Sequence, residues 1–209
     1  IGDPRYYKVC KAMFGCGATF ETAAGTDGLL QSNFEESKKL LAEAGYDGKP
    51  IVVLQTTDLN THVNLAPVAK SLLEKGGFKV DVQSMDWQTQ VSRRTKKDPV
   101  DKGGRNISMT AAATVLLSDP IVNHYTEATG DRAQFGWPLD EEIEKLRMEF
   151  ARESDPKKQF ALAEQVQKRV LDLGITVPLG QFLQPMARRT NVTGNIPSPV
   201  PVFWNVEKK

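Results

Sequence analysis

The 209-residue sequence has two cysteines, two histidines, almost no net charge and no long apolar run, and each shortage removes a class of function. Lys plus Arg number 27 against 26 Asp plus Glu, a formal charge of +1, so no strong field gathers nucleic acid, an anionic membrane or an acidic substrate. No apolar stretch approaches the roughly 18 residues that cross a bilayer, and the first residues lack the basic and apolar regions of a secretory leader. Ile1 stands in place of an initiator methionine, so a boundary made by processing or by deliberate truncation is expected there, not the natural beginning. Outside Cys10 and Cys16 only His62 and His124 are available to a soft metal, and their spacing matches no zinc motif, so no metal site is expected. There is no nucleophile elbow, no glycine-rich loop ending in Gly-Lys-Ser or Gly-Lys-Thr, and no HExxH helix. The chain is therefore expected to be neither an enzyme nor the carrier of a cofactor.

What is present is the composition of an ordered domain: 40% hydrophobic residues over a length that buries a core. Residues 1–33 hold glycines and tyrosines without a sustained period and read as an irregular arm. From Asn33, Phe34, Leu40, Leu41 and Ala44 fall near helical spacing, with Glu35 and Glu36 opening the run and Gly45 closing it. Ile51 to Leu54 reads as a buried strand. Residues 61–75 read as a helix stopped by Gly76-Gly77, and Phe78, Val80 and Val82 alternate as a half-covered strand. Strand, helix, strand is a βαβ unit. A polar helix over 88–97, a third strand over 106–113, helices over 138–154 and 157–173, and a strand over 175–182 complete the α/β reading. The tail from Asn191 carries Pro197, Pro199 and Pro201 before Phe203-Trp204 and reads as an extended segment that docks on this or another domain. Cys10 and Cys16 are close enough in sequence for a small disulfide loop, but their spacing leaves a pair of reduced thiols equally open.

Word strings are more specific than periodicity here. SKKLLAEAGYDGK at 37–49, Met85-Asp86-Trp87-Gln88-Thr89, and Phe135-Gly136-Trp137-Pro138 leading into EEIEKLRMEFARESDPKK resemble the C-terminal part of the peptide/nickel-type (family 5) extracytoplasmic solute-binding proteins of ABC transporters. PLGQFLQPMARRTNVTGN followed by PVFWNV is similar too, so the resemblance runs colinearly over nearly the whole chain. It implies a periplasmic-binding-protein-like (type II) lobe, a mixed sheet flanked by helices, divided into an arm at 1–33 that crosses from a missing N-terminal lobe, a ligand-binding lobe at 34–190 and an extended tail at 191–209. It further implies a periplasmic or other extracytoplasmic, membrane-associated setting, capture of a peptide or small-molecule ligand, and delivery to ABC permease subunits. A ligand-sensing regulatory domain on the same fold and a small α/β enzyme are the competing readings. The resemblance also favours the Cys10–Cys16 bridge, since an oxidising compartment preserves disulfides.

In open α/β sheets ligands lie beyond the carboxyl ends of the strands, which selects Thr57, Asp58, Asp86, Trp87 and the stretch from Ala113 through Thr114 and Val115 to Leu116. Trp87 offers a large apolar face and one donor; anchoring the following helix explains it equally well. The resemblance implies that relatives place a carboxylate for a peptide's amino terminus about where this chain has Leu116. An apolar residue there does not pair with an ammonium group, whose burial unpaired is costly. Asp119 is expected to fix the turn with Pro120 rather than to touch cargo. Phe135 and Trp137 read as a staple at the next helix start, and Arg93, Arg94, Lys96 and Lys97 as a solvated helix face.

Overall fold

The computed structural model describes residues 3–29, 31–198 and 200–209; Ile1 and Pro199 lie outside the described residues. The elements run β1 (Tyr7–Lys8), α1 (Phe34–Glu43), β2 (Ile51–Thr56), α2 (Leu65–Lys75), β3 (Val80–Met85), α3 (Trp87–Arg93), α4 (Glu141–Arg152) and α5 (Pro156–Asp172). Three short strands close the order: β4 (Gln181–Phe182), β5 (Val192–Thr193) and β6 (Glu207–Lys208). Two units result, one made of the chain up to Gly28 with Ala112–Lys209, the other of Leu29–Ala111.

In the 29–111 unit the unbroken apolar run Val52-Val53-Leu54 is buried throughout, as a strand covered on both faces requires. β2 pairs in parallel with β3 over six residues, from Ile51↔Val80 to Thr56↔Met85, with α2 as the connection. Val53 packs with Ala66 of α2 and Met109, and Leu65, Ala69, Leu73, Val80 and Val82 close around them. Asn33 caps α1 by accepting the Glu36 N–H at 3.1 Å, and Ser37 donates its hydroxyl to the Gly76 carbonyl at 2.9 Å, joining α1 to the end of α2. The expected third strand over 106–113 is not formed. Ile107 alone bridges Val53, through Leu54 N–H to the Ile107 carbonyl at 3.0 Å. Beyond it the Met109 carbonyl is taken by the buried Gln90 side chain at 3.2 Å, so that acceptor is spent on α3 instead of on a ladder.

In the other unit α4 and α5 supply the core face: Ile143, Leu146, Phe150, Ala163, Val166 and Val170 enclose Phe14, which has no exposed surface. Asp140 caps α4 through the Ile143 N–H at 2.8 Å; Asp155 caps α5, with Pro156 at its first turn. α4 therefore begins at Glu141, not at Pro138. The irregular arm is part of this core. Cys10 and Cys16 are joined by a disulfide, Phe20 meets Phe150 edge-on at 5.0 Å, and the fully buried Gln167 of α5 reaches the arm three times. Its Oε1 accepts the Met13 N–H at 2.8 Å and its Nε2 donates to the carbonyls of Thr22 at 3.0 Å and Ala24 at 2.8 Å. The strand expected over 175–182 contracts to β4, which pairs antiparallel with β1 (Tyr7↔Phe182). Pro178 has no N–H to give a ladder and Thr176 turns its hydroxyl to the Tyr125 carbonyl.

Candidate functional site

Parallel pairing of β2 and β3 in register brings their carboxyl ends together, so Thr57 and Asp58 follow one strand beside Asp86 and Trp87 after the other. The four residues form one corner. The Thr57 N–H donates to the Met85 carbonyl at 2.9 Å and its hydroxyl reaches the same oxygen at 3.2 Å. Asp58 Oδ1 accepts the Thr56 hydroxyl at 2.9 Å and the Trp87 N–H at 2.8 Å. Asp86 caps α3, accepting the Thr89 hydroxyl at 2.6 Å and the Thr89 N–H at 3.0 Å, and these bonds hold its carboxyl below the usual range. Thr57, Asp58 and Asp86 remain exposed, and each carboxylate keeps lone pairs for a further donor.

Trp87 is half-buried, with its indole 5.4 Å from the His62 ring and 5.7 Å from the Arg94 guanidinium. The basic run is thus more than a solvated face. Arg94 covers an aromatic, Arg93 donates to the Gly103 and Gly104 carbonyls at 2.9 and 3.0 Å, and α3 ends before Lys96 and Lys97. His62, which the strand-end rule does not select, is buried, and burial holds its imidazole below the ordinary value.

Thr114, Val115 and Leu116 belong to the other unit, on a 3-10 turn over Thr114–Leu117 that leaves Val115 and Leu116 exposed. The turn is backed by polar supports. Asp119 Oδ1 accepts the Ile121 and Val122 N–H groups at 2.8 and 2.9 Å, the turn-fixing role expected of it. The carbonyl of buried Pro120 accepts Arg147 Nε at 2.9 Å, while the Arg147 guanidinium also meets both oxygens of Glu144, at 2.6 and 2.8 Å. Glu144 in turn accepts the Ala128 N–H at 2.7 Å. Buried Asn123 donates to the Met13 carbonyl at 3.0 Å, tying the segment to the arm. Thr114 packs its methyl where a side chain on Gly15 would fall, and Gly15 sits at φ +81°, so both space and backbone require glycine there.

Phe135 and Trp137 approach each other edge-on at 6.5 Å, and His124 lies 4.1 Å from the Tyr125 ring. Among the described residues no three His, Cys, Asp or Glu side chains are grouped to hold a metal ion, and no helix is long and apolar enough to cross a membrane.

Residues 17–131 match the family described as bacterial extracellular solute-binding proteins, family 5 Middle. A probable peptide ABC transporter periplasmic-binding protein of Sinorhizobium fredii is 34% identical over 208 residues, which is 99% of this chain and 39% of that protein. Among solved structures, the ABC transporter substrate-binding protein CtaP of Listeria monocytogenes superposes with a TM-score of 0.71 at 16% identity, over 87% of this chain and 36% of its own. A dipeptide-binding protein from Pseudoalteromonas sp. SM9913, solved in complex with Met-Leu, gives 0.70 at 15% identity, over 98% and 41%. At those identities the likeness is one of fold, the α/β periplasmic-binding-protein lobe expected from the sequence. The chain spans about two fifths of the length of these relatives.

Proposed function

The chain belongs to the family 5 bacterial extracellular solute-binding proteins, and from that premise we propose that it is the ligand-contacting lobe of a protein that captures a peptide or similar small solute outside the cytoplasm for an ABC importer. The family match over 17–131 carries this reading. Three observations support its details. The Cys10–Cys16 disulfide suits an oxidising, periplasmic compartment. Val177, Leu179, Met186 and Trp204, within residues 177–209, are each exposed, apolar side chains of the kind an N-terminal lobe of the same protein would cover. The corner at Thr57, Asp58, Asp86 and Trp87 offers hydroxyl, carboxylate and indole together, while Thr114, Val115 and Leu116 offer a mainly apolar contact. The cargo group met at Leu116 is accordingly uncharged, and the ligand need not be a peptide with a free amino terminus.

Native mass spectrometry of the complete protein as purified tests the proposal directly: co-purified solute is expected, released on mild denaturation. A preparation that carries none and binds nothing in a screen of peptides and small polar solutes would sink it. For the corner, Trp87→Ala in the complete protein is expected to weaken ligand binding by about tenfold or more. Calorimetry beside a melting curve separates the roles: an unchanged affinity with a lowered melting temperature makes Trp87 an anchor only.

A further inference from the structure

We infer that His62 is a pH-sensitive positioning residue for Trp87: the neutral imidazole seats the indole at the carboxyl end of β2 and β3, and protonation unseats it. His62 is 8% exposed, and its Nδ1 lies 2.7 Å from the Thr61 hydroxyl. Its Nε2 is sealed from solvent and has no hydrogen-bond partner among the described residues. A buried nitrogen left so calls for a physical account. With one polar partner available, the neutral ring keeps a single nitrogen unsatisfied; the imidazolium carries two N–H donors and a full charge, and nothing accepts the second.

The surroundings do not rescue that charge. Arg94, which caps the C-terminal end of α3, already lies 5.7 Å from the centre of the same indole, so a second cation on this aromatic meets a like charge. Asp58, in the loop that leads to His62, bonds Thr56 and the Trp87 N–H, and Asp86, at the other side of the corner, bonds Thr89; both are exposed to water and neither is bonded to the imidazole, whose Nε2 has no partner among the described residues. Burial accordingly pushes the imidazole below its ordinary value of 6.5. The seated state holds the depressed value and the released state the ordinary one. Protons therefore favour release once the pH falls below 6.5. Between the two values the seated-to-released ratio falls about tenfold per pH unit, and the seated state loses stability until the depressed value is passed.

For transport this means weaker ligand holding in acid, a consequence that rests on the reading of Trp87 as a ligand contact. The device itself is tested without ligand. In the chain carrying Trp137→Phe and Trp204→Phe, Trp87 is the sole indole, and its acrylamide quenching is followed from about pH 7.5 to about pH 5 beside far-UV circular dichroism. Quenching is expected to rise with a midpoint below 6.5 while the dichroism holds, and His62→Gln is expected to flatten the profile. The inference is overturned by a flat profile with His62 present, by an unchanged profile in His62→Gln, or by loss of the dichroism in step with quenching. Should His62→Gln not fold, the imidazole proton resonances of the His124→Gln chain decide: titration of His62 at or above 6.5 refutes it. None of these results bears on the ligand reading, which stands or falls on Trp87→Ala.

Discussion

Gln167→Met is expected to lower the stability of the chain by about 3 kcal/mol or more, although methionine nearly matches the glutamine in volume. The side chain is fully buried and satisfies three backbone groups of the arm, at Met13, Thr22 and Ala24. Methionine fills the space but leaves an N–H and two carbonyls without partners, and each such group costs about 1–3 kcal/mol when water does not reach it. Relaxation of the arm recovers part of that by exposing those groups and loosening Phe14. A melting temperature lower by about 6–12 °C is the expected reading for a chain of this size. A fall of less than about 2 °C would mean that the arm finds other partners and that Gln167 does not hold it.

Arg147→Met is expected to cost about 2–4 kcal/mol, somewhat below the loss typical of removing one partner of a fully buried ion pair, because Glu144 is partly exposed. Arg147 is 6% exposed and binds the Pro120 carbonyl and both oxygens of Glu144, so its loss strands a carboxylate and a carbonyl beneath the 114–126 segment. Arg147→Lys keeps the charge but not the planar fork, and an intermediate loss is expected. Hydrogen exchange reports where the loss falls. The Ile121 and Val122 amides, held by Asp119, are expected to lose protection before the amides of α5. Wild-type stability in Arg147→Met would instead show that apolar packing replaces the pair, an outcome known for some buried ion pairs.

Both residues sit on helices whose existence is plain from the sequence and whose polar members are not. Phe160, Ala163, Val166 and Val170 mark the buried face of α5, and Gln167 lies on that face four residues after Ala163. A count of apolar positions passes over it, yet helical geometry buries whatever occupies that site. Arg147 stands in the same relation to Ile143 on α4. The helix starts at Asn33 and Asp155 and the pairing of β2 with β3 are legible because caps, breakers and apolar period agree locally. The strands expected over 106–113 and 175–182 are not, because a strand needs a neighbour that accepts its whole ladder. Side chains distant in sequence, Gln90 for Met109, redirect the carbonyls first. At the candidate site, the strand-end rule selects Asp58 and Trp87, 29 residues apart and joined by a hydrogen bond. It passes over His62, since an aromatic contact between the turn before α2 and the first residue of α3 leaves no mark on local spacing.

The hydrogen bonds that join the two strand-end loops have a kinetic meaning. Thr57 is fastened to Met85 and Asp58 to Trp87, so neither loop opens without drawing on the other. On the proposed reading of Trp87 as a ligand contact, a solute there meets a surface whose disorder was surrendered when the chain folded, so little is left to freeze on contact. If that reading holds, discrimination between cargoes is expected in dissociation rates more than in association rates.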